Sequence, residues 1–145
     1  MLRAETVAKS GMFRRAFEQH RCLVPADAFY EWKVVASGKQ PYAIARQDEQ
    51  LTAFAGLREG FRWTDGRVTR SFCIITTDAN AEMAQLHDRT PVILEPGDWP
   101  ALLGETEGDP ASLLHPAPKG HKVRVRRPAE DPMRVSTRSS GSARN

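Results

Sequence analysis

Apolar and polar residues alternate through much of the middle of the chain, at the two-residue period of a β-strand. Five segments are predicted to be strands: 21–25, 28–34, 41–46, 51–57 and 68–77, of which the last is the most apolar. The second, third and fourth segments follow one another closely, so we predict that they form an antiparallel meander. Residues 59–67, which include Trp63, are predicted to be a loop, and residues 90–94 a further strand.

Apolar residues recur at helical spacing in only a few short segments. Residues 1–8 are predicted to pass from an extended start into a short helix. Ser10 is predicted to cap a second helix that ends near His20. Further short helices are predicted to begin near residues 78, 96 and 109. Short strands with a few flanking helices are typical of an α+β domain.

The length of 145 residues indicates one domain with a core of its own. The sequence contains no apolar window long enough for a membrane span and no signal peptide, so we expect a cytoplasmic protein. Cys22 and Cys73 lie in apolar runs and are expected to be buried, reduced thiols. Neither has a Cys or His neighbour at ligand spacing, so we expect no metal site, and no motif indicates a cofactor.

The net charge of +3 is unevenly distributed. Residues 119–145 contain eight Lys and Arg against two Asp and Glu, which gives +6, so residues 1–118 carry −3. Periodicity also ends beyond Pro116, and we expect a basic, flexible tail over 119–145. A basic segment of this kind suits a polyanion such as nucleic acid, although a solvated tail without a partner has the same composition.

Two titratable residues are candidates for proton transfer. Glu31 lies between Phe29-Tyr30 and Trp32, and in a strand it would share one side with Phe29. That side is either exposed to solvent or at the edge of a pocket, and residue type alone favours solvent. His87 has the ordinary pKa best suited to proton transfer, but a histidine at a helix end is also a common structural cap. The sequence does not show whether the two side chains meet.

Several blocks of sequence, in order along the chain, resemble the SRAP family (SOS response-associated peptidases, the abasic-site processing proteins). The blocks are Arg3-Ala4-Glu5-Thr6, Arg21-Cys22-Leu23-Val24-Pro25-Ala26, Phe29-Tyr30-Glu31-Trp32, Phe54-Ala55-Gly56-Leu57, Ile75-Thr76-Thr77, His87-Asp88-Arg89, Pro91-Val92-Ile93-Leu94 and Arg134-Val135-Ser136-Thr137-Arg138. The resemblance implies an α+β fold with an antiparallel, β-barrel-like sheet and short flanking helices. Residues 1–118 would form the SRAP domain, and the tail would keep a remnant of the family's C-terminal motif.

The resemblance also implies a function. Family members bind single-stranded DNA at abasic sites, and an N-terminal cysteine attacks the opened sugar aldehyde to form a thiazolidine crosslink. By motif, Glu31 and His87 are the proton-transfer groups. Arg3 and Arg89 match positions that contact DNA phosphates, and Thr76 matches a position that lines the same pocket. We expect no cofactor, no metal and a monomer.

This chain departs from the family pattern at its start. The family nucleophile follows the initiator methionine and lies about 70 residues before the block that begins at Arg3, whereas residue 2 here is Leu. Cys22 and Cys73 are internal and do not match the nucleophile. We therefore expect a domain that is incomplete at the N-terminus and has lost crosslinking. The alternatives are a non-catalytic module that binds single-stranded DNA or a decayed fragment.

Overall fold

The computed structural model describes residues 2–117 and the backbone of residues 123–126. The helices are α1 (Ala4–Val7), α2 (Arg14–Gln19) and α3 (Trp99–Leu103), with 3-10 turns at Met83–Gln85, Pro96–Asp98 and Pro110–Leu113. The strands are β1 (Leu2–Arg3), β2 (Arg21–Ala26), β3 (Phe29–Val35), β4 (Gly38–Arg46), β5 (Thr52–Arg62), β6 (Val68–Asp78), β7 (Arg89–Pro91), β8 (Ile93–Leu94) and β9 (Val123–Arg126).

The strands form two sheets. The larger has the order β1-β6-β5-β2, with β7 paired to β6 and β8 to β5, and only the β1–β6 pair is parallel. The smaller has the order β3-β4-β9. The α+β class is confirmed, but within the described residues the sheets do not close into a barrel. The predicted meander is wrong at its third strand, because β5 leaves the β3–β4 hairpin and pairs with β2 and β6.

The larger sheet is covered on both faces along its inner half. Leu57, Ala55 and Ile75 form a core with side chains of β1 and the helices, such as Leu2 and Leu102. The opposite face meets the smaller sheet, where the rings of Phe29 and Phe54 pack edge to face with centroids 5.4 Å apart. The open side of this second interface forms the cleft described below.

Strands β5 and β6 continue beyond the sheet as a two-stranded ribbon. Every residue from Arg58 to Phe72 is exposed, and the strands remain paired out to Arg62 and Val68. The loop predicted for residues 59–67 is therefore wrong, since most of that segment belongs to the strands or to the tight turn that joins them. Both faces of the ribbon are in solvent, so its sequence lacks the apolar alternation by which a half-buried strand is recognised.

Two other local predictions differ from the structure. Helix α2 begins at Arg14 after Phe13, and no side chain caps it; the Ser10 carbonyl, rather than its hydroxyl, accepts the amide hydrogens of Phe13 and Arg14. Residues 123–126 form β9 against β4, whereas the sequence predicted no regular structure beyond Pro116. The rest of the predicted flexible tail, 119–122 and 127–145, lies outside the described residues.

Candidate functional site

Glu31 lies on the inward side of β3. Along this strand exposure alternates, so that Phe29, Glu31 and Lys33 are partly buried while Tyr30 and Trp32 are exposed. The pocket-edge interpretation of Glu31 is therefore confirmed over the solvent-facing one. Partial burial raises the pKa of Glu31 above its ordinary value, and the charge of the nearby His87 opposes this shift.

His87 follows the 3-10 turn Met83–Gln85, and its backbone amide donates to the carbonyl of Met83. Its ring nitrogen Nδ1 accepts the backbone N–H of Arg89 at 3.0 Å. The carboxylate of Asp88 lies 3.0 Å from the same nitrogen. The carbonyl of Arg89 also lies 3.2 Å from Nδ1, so this nitrogen accepts or donates according to the tautomer of the ring. The contacts of the ring with Arg89 and Asp88 are all made through Nδ1.

Glu31 and His87 line one cleft between the two sheets. The cleft has a volume of ≈ 450 Å³ and is also lined by Phe72, Ile74 and Thr76 of β6. A second depression of ≈ 560 Å³ lies beside it and is lined by Glu31, Trp32, Val34, Lys39 and His87. The two titratable groups therefore lie where the depressions meet. The structure brings together two residues whose proximity the sequence could not show.

Arg3 and Thr76 lie on the cleft side of the larger sheet. In the parallel pair of β1 and β6, Arg3 is directly opposite Thr76, so both side chains are on the same face. The hydroxyl of Thr76 donates to the carbonyl of Leu2 at 3.1 Å, and Thr76 is 7% exposed. Arg3 is exposed and forms no ion pair with any residue between 2 and 117. Its guanidinium is therefore available to an anion.

Arg89, by contrast, is held by several partners. Its Nη1 and Nη2 donate to the two carboxylate oxygens of Glu5 at 2.8 and 3.1 Å, a two-pronged pair. Nη1 also donates to Asp78 at 2.7 Å, and Nη2 to the carbonyl of Thr76 at 2.7 Å. Its Nε is buried and has no hydrogen-bond partner in the described part of the chain. The hydrogen bonds from Arg89 lower the pKa of Glu5.

The two cysteines are less buried than predicted: Cys22 is partly buried and Cys73 is exposed. The expectation of a pair of buried thiols is therefore wrong. Cys73 is opposite Leu57 in the sheet, so its thiol is on the helix-packed face, while Thr76 faces the cleft. Burial raises the pKa of the Cys22 thiol, and the nearby Arg58 opposes that shift.

Sequence reasoning did not single out Phe72, Lys39 or Glu5. The alternation of Phe72 with Ile74 and Thr76 places all three on one face of β6 and could have identified Phe72 as a cleft residue. Lys39 and Glu5 carry no such signal, because their positions depend on how β4 and α1 pack.

No helix within the described residues is long and apolar enough to cross a membrane. Nor do those residues contain a group of three or more His, Cys, Asp or Glu side chains placed to hold a metal ion.

Comparison with known proteins identifies the family of this chain. The family model described as SOS response associated peptidase (SRAP) matches residues 2–129. The abasic site processing protein YoqW of Bacillus subtilis is 40% identical over 118 residues, which cover 79% of this chain and 53% of YoqW. YoaM of the same organism, also named an abasic site processing protein, is 45% identical over 93 residues, which cover 63% of this chain and 41% of YoaM.

Solved structures of other proteins match the fold of this chain. A crystal structure of a protein from Bacteroides thetaiotaomicron matches with a TM-score of 0.78 and 28% identity, over 86% of this chain and 56% of that one. A protein from Bordetella bronchiseptica matches with a TM-score of 0.75 and 26% identity, over 86% of this chain and 62% of that one. The chain thus spans about half the length of the relatives it matches.

Proposed function

Because the chain belongs to the SOS response associated peptidase (SRAP) family, we propose that its cleft binds single-stranded DNA at an abasic site. The observation that carries this proposal is the meeting of Glu31 and His87, 56 residues apart in sequence, at one cleft beside Thr76. Several relatives are named abasic site processing proteins. Since those relatives are about twice as long as the matched region, the activity of a whole family protein is part of the proposal.

His87 and Glu31 divide the proton transfers. Opening the sugar ring at an abasic site requires a proton on the ring oxygen, and the imidazolium form of His87 can supply it, because this ring lines the cleft. Glu31, whose pKa is raised by burial, can then exchange protons with an added amine that attacks the aldehyde, because neither Cys22 nor Cys73 has a free α-amine. Both groups face the same space, so one bound sugar reaches both.

Arg3 and Arg89 contact the phosphates beside the abasic sugar. Arg3 is exposed and free of ion pairs within the described residues, on the same face as Thr76. Arg89 reaches a phosphate by releasing Glu5, whose two oxygens occupy the edge of the guanidinium that a phosphate would otherwise take. Thr76 lines the pocket between these two arginines.

Thiazolidine formation requires a cysteine with a free α-amine, which supplies both the amine and the thiol. Cys22 and Cys73 are internal residues, so neither has that amine. We therefore expect the 145-residue polypeptide to bind and open the abasic sugar without forming the crosslink itself. On a denaturing gel with abasic single-stranded DNA, a stable shifted band formed without borohydride would contradict this expectation.

The binding proposal is tested with two labelled oligonucleotides of the same sequence, one of which has a single abasic site at its centre. We expect the polypeptide to bind the abasic strand more tightly, and Thr76→Val to reduce that preference. Equal affinity of the wild type for both strands would refute recognition of the abasic site. A non-catalytic module that binds single-stranded DNA is the second candidate, favoured by the exposed Arg3, and equal affinity would support it.

A further inference from the structure

The two faces of the β5–β6 ribbon differ in composition. Residues directly opposite in an antiparallel pair share a face, so Arg58 lies with Phe72, Gly60 with Arg70, and Arg62 with Val68. We call this set, Arg58, Gly60, Arg62, Val68, Arg70 and Phe72, the arginine face. The other face carries Glu59 and Phe61, with Ser71 and Thr69 opposite them.

The arginine face carries three positive charges and no acidic residue. Arg58, Arg62 and Arg70 are all exposed, and none forms a salt bridge with another residue of the described ranges. The acidic residues of the ribbon are engaged elsewhere. Glu59, on the other face, contacts His20 at 3.3 Å, and Asp65, in the turn, pairs with Arg67 at 2.6 Å.

An aromatic ring lies between these charges and the cleft. Phe72 is 59% exposed and belongs both to the arginine face and to the cleft lining. Along β6 the same face continues inward from Arg70 through Phe72 and Ile74 to Thr76, beside Arg3. The six residue steps from Arg70 to Thr76 span about 20 Å at the rise of a β-strand, which is long enough for several nucleotides.

We propose that the arginine face is a second contact surface for nucleic acid, which holds the single strand on one side of the abasic nucleotide in the cleft. Arg58, Arg62 and Arg70 bind phosphates, and Phe72 stacks on a flanking base. Positive charge that follows a backbone, combined with an exposed aromatic ring, is how proteins bind single strands without reading sequence. The inference rests on the proposed function, because the cleft determines where the strand enters.

The test compares two triple variants of the 145-residue polypeptide. Arg58→Gln, Arg62→Gln and Arg70→Gln together remove three charges from the arginine face. The matched control combines Lys9→Gln, Arg14→Gln and Arg15→Gln, which removes three exposed charges near and within α2. All six positions are exposed, so both variants should fold, and a thermal melt checks this. Affinity is measured over a salt series for two abasic strands, one with two flanking nucleotides on each side and one with ten.

We expect the wild type to bind the longer strand more tightly and with a steeper salt dependence. The arginine-face variant should lose that advantage, and the slope of log K against log[salt] should become shallower by about 2, since each phosphate contact on a single strand contributes about 0.7. The control variant near α2 should keep both the tighter binding of the longer strand and the steep salt dependence. Phe72→Ala should weaken binding of the longer strand by about fivefold or more, since loss of a stacked base has at least this effect.

Each outcome is informative about one claim. If the arginine-face variant binds the longer strand with the affinity and salt dependence of the wild type, the inference is overturned, whether or not the cleft binds an abasic site. If the length advantage depends on these arginines but the wild type does not prefer an abasic strand in the two-oligonucleotide assay, the proposed function fails, and the arginine face stands only as a surface that binds single strands. If the wild type binds neither strand, both are overturned.

Discussion

Glu5 is predicted to compete with DNA for Arg89. The substitution Glu5→Gln removes the carboxylate charge but keeps the shape of the side chain. It leaves Arg89 bonded to Asp78 and to the carbonyl of Thr76. Two effects of opposite sign should follow: the folded protein becomes less stable, and the guanidinium becomes more available to a phosphate.

The loss of stability can be estimated from the geometry. The Glu5–Arg89 pair is two-pronged at 2.8 and 3.1 Å, and the side chains are 45% and 13% exposed. Exposed ion pairs contribute up to about 1 kcal/mol, and the good geometry places this one near the top of that range. We therefore expect the free energy of unfolding to fall by about 1 kcal/mol. Glu18→Gln is the control, because Glu18 pairs with Arg14 on a helix surface at 3.7 Å, where a loss of about 0.3–0.5 kcal/mol is typical.

The pH dependence of stability gives an independent check. Hydrogen bonds from Arg89 lower the pKa of Glu5 in the folded state, below its ordinary value of 4.5. The contribution of the pair is therefore complete above about pH 4.5 and is lost as the pH falls through the lowered pKa. The difference in stability between wild type and Glu5→Gln should be constant near neutral pH and shrink in acid. Urea unfolding at several pH values measures it.

Binding to single-stranded DNA tests whether Glu5 competes with a phosphate for Arg89. If Glu5 occupies the phosphate-binding edge of Arg89, Glu5→Gln should bind abasic single-stranded DNA severalfold more tightly, whereas Glu18→Gln should match the wild type. Weaker binding by Glu5→Gln, with the fold intact, would refute competition and would make Glu5 a residue that positions Arg89 for DNA.

Two further predictions concern the acid–base pair and the core. Free cysteine should form a thiazolidine with abasic single-stranded DNA faster when the polypeptide is present than with DNA alone. His87→Gln and Glu31→Gln should each lower this rate enhancement by about 10²-fold, or abolish it. The Glu31-dependent part of that rate should fall as the pH drops through a pKa above 4.5, because burial raises the pKa of this carboxyl. Gly56→Ala should lower the free energy of unfolding by about 1–3 kcal/mol, because the added Cβ would lie 3.0 Å from a backbone oxygen and 3.1 Å from a side-chain carbon. Gly60→Ala on the same strand is the control. Its added Cβ meets nothing within 4 Å, so the free energy of unfolding should hardly change.

The controls for the cysteine reaction are Glu107→Gln and His115→Gln, which make the same substitutions at exposed positions outside the cleft. Both should react like the wild type. An enhancement that survives in His87→Gln and Glu31→Gln, or that is lost equally in the controls, would contradict proton transfer by the pair. Denaturing electrophoresis or mass spectrometry of the DNA measures the adduct.

Local alternation was enough to predict which residues share a side of β3 with Glu31. Phe29, Glu31 and Lys33 are on one side, as the sequence indicates, because a strand has only two sides. Which of those sides is covered depends on the larger sheet, and that arrangement follows from packing between segments far apart in the chain. The proximity of Glu31 and His87 also depends on packing between distant segments, so it could not be predicted from the sequence.

The β5 strand shows why the sheet arrangement was missed. Short turns usually join paired neighbours, which is why a meander was predicted after β4. The inner half of β5 is instead buried on both faces, from Thr52 to Leu57, and such a strand belongs in the middle of a larger sheet. Its outer half is exposed on both faces, so neither half gives the pattern of a simple half-buried strand.

The positions of the three consecutive residues His87, Asp88 and Arg89 depend on one another. The backbone of Arg89 fixes the ring of His87, the guanidinium of Arg89 fixes Thr76 and Glu5, and Asp88 between them contacts His87 while its side chain is 88% exposed. Chain length between the first and third residues is therefore under far stricter constraint than the identity of the second. Exchanges at position 88 should be widely tolerated, whereas inserting or deleting a single residue there would misplace the imidazole and the guanidinium together.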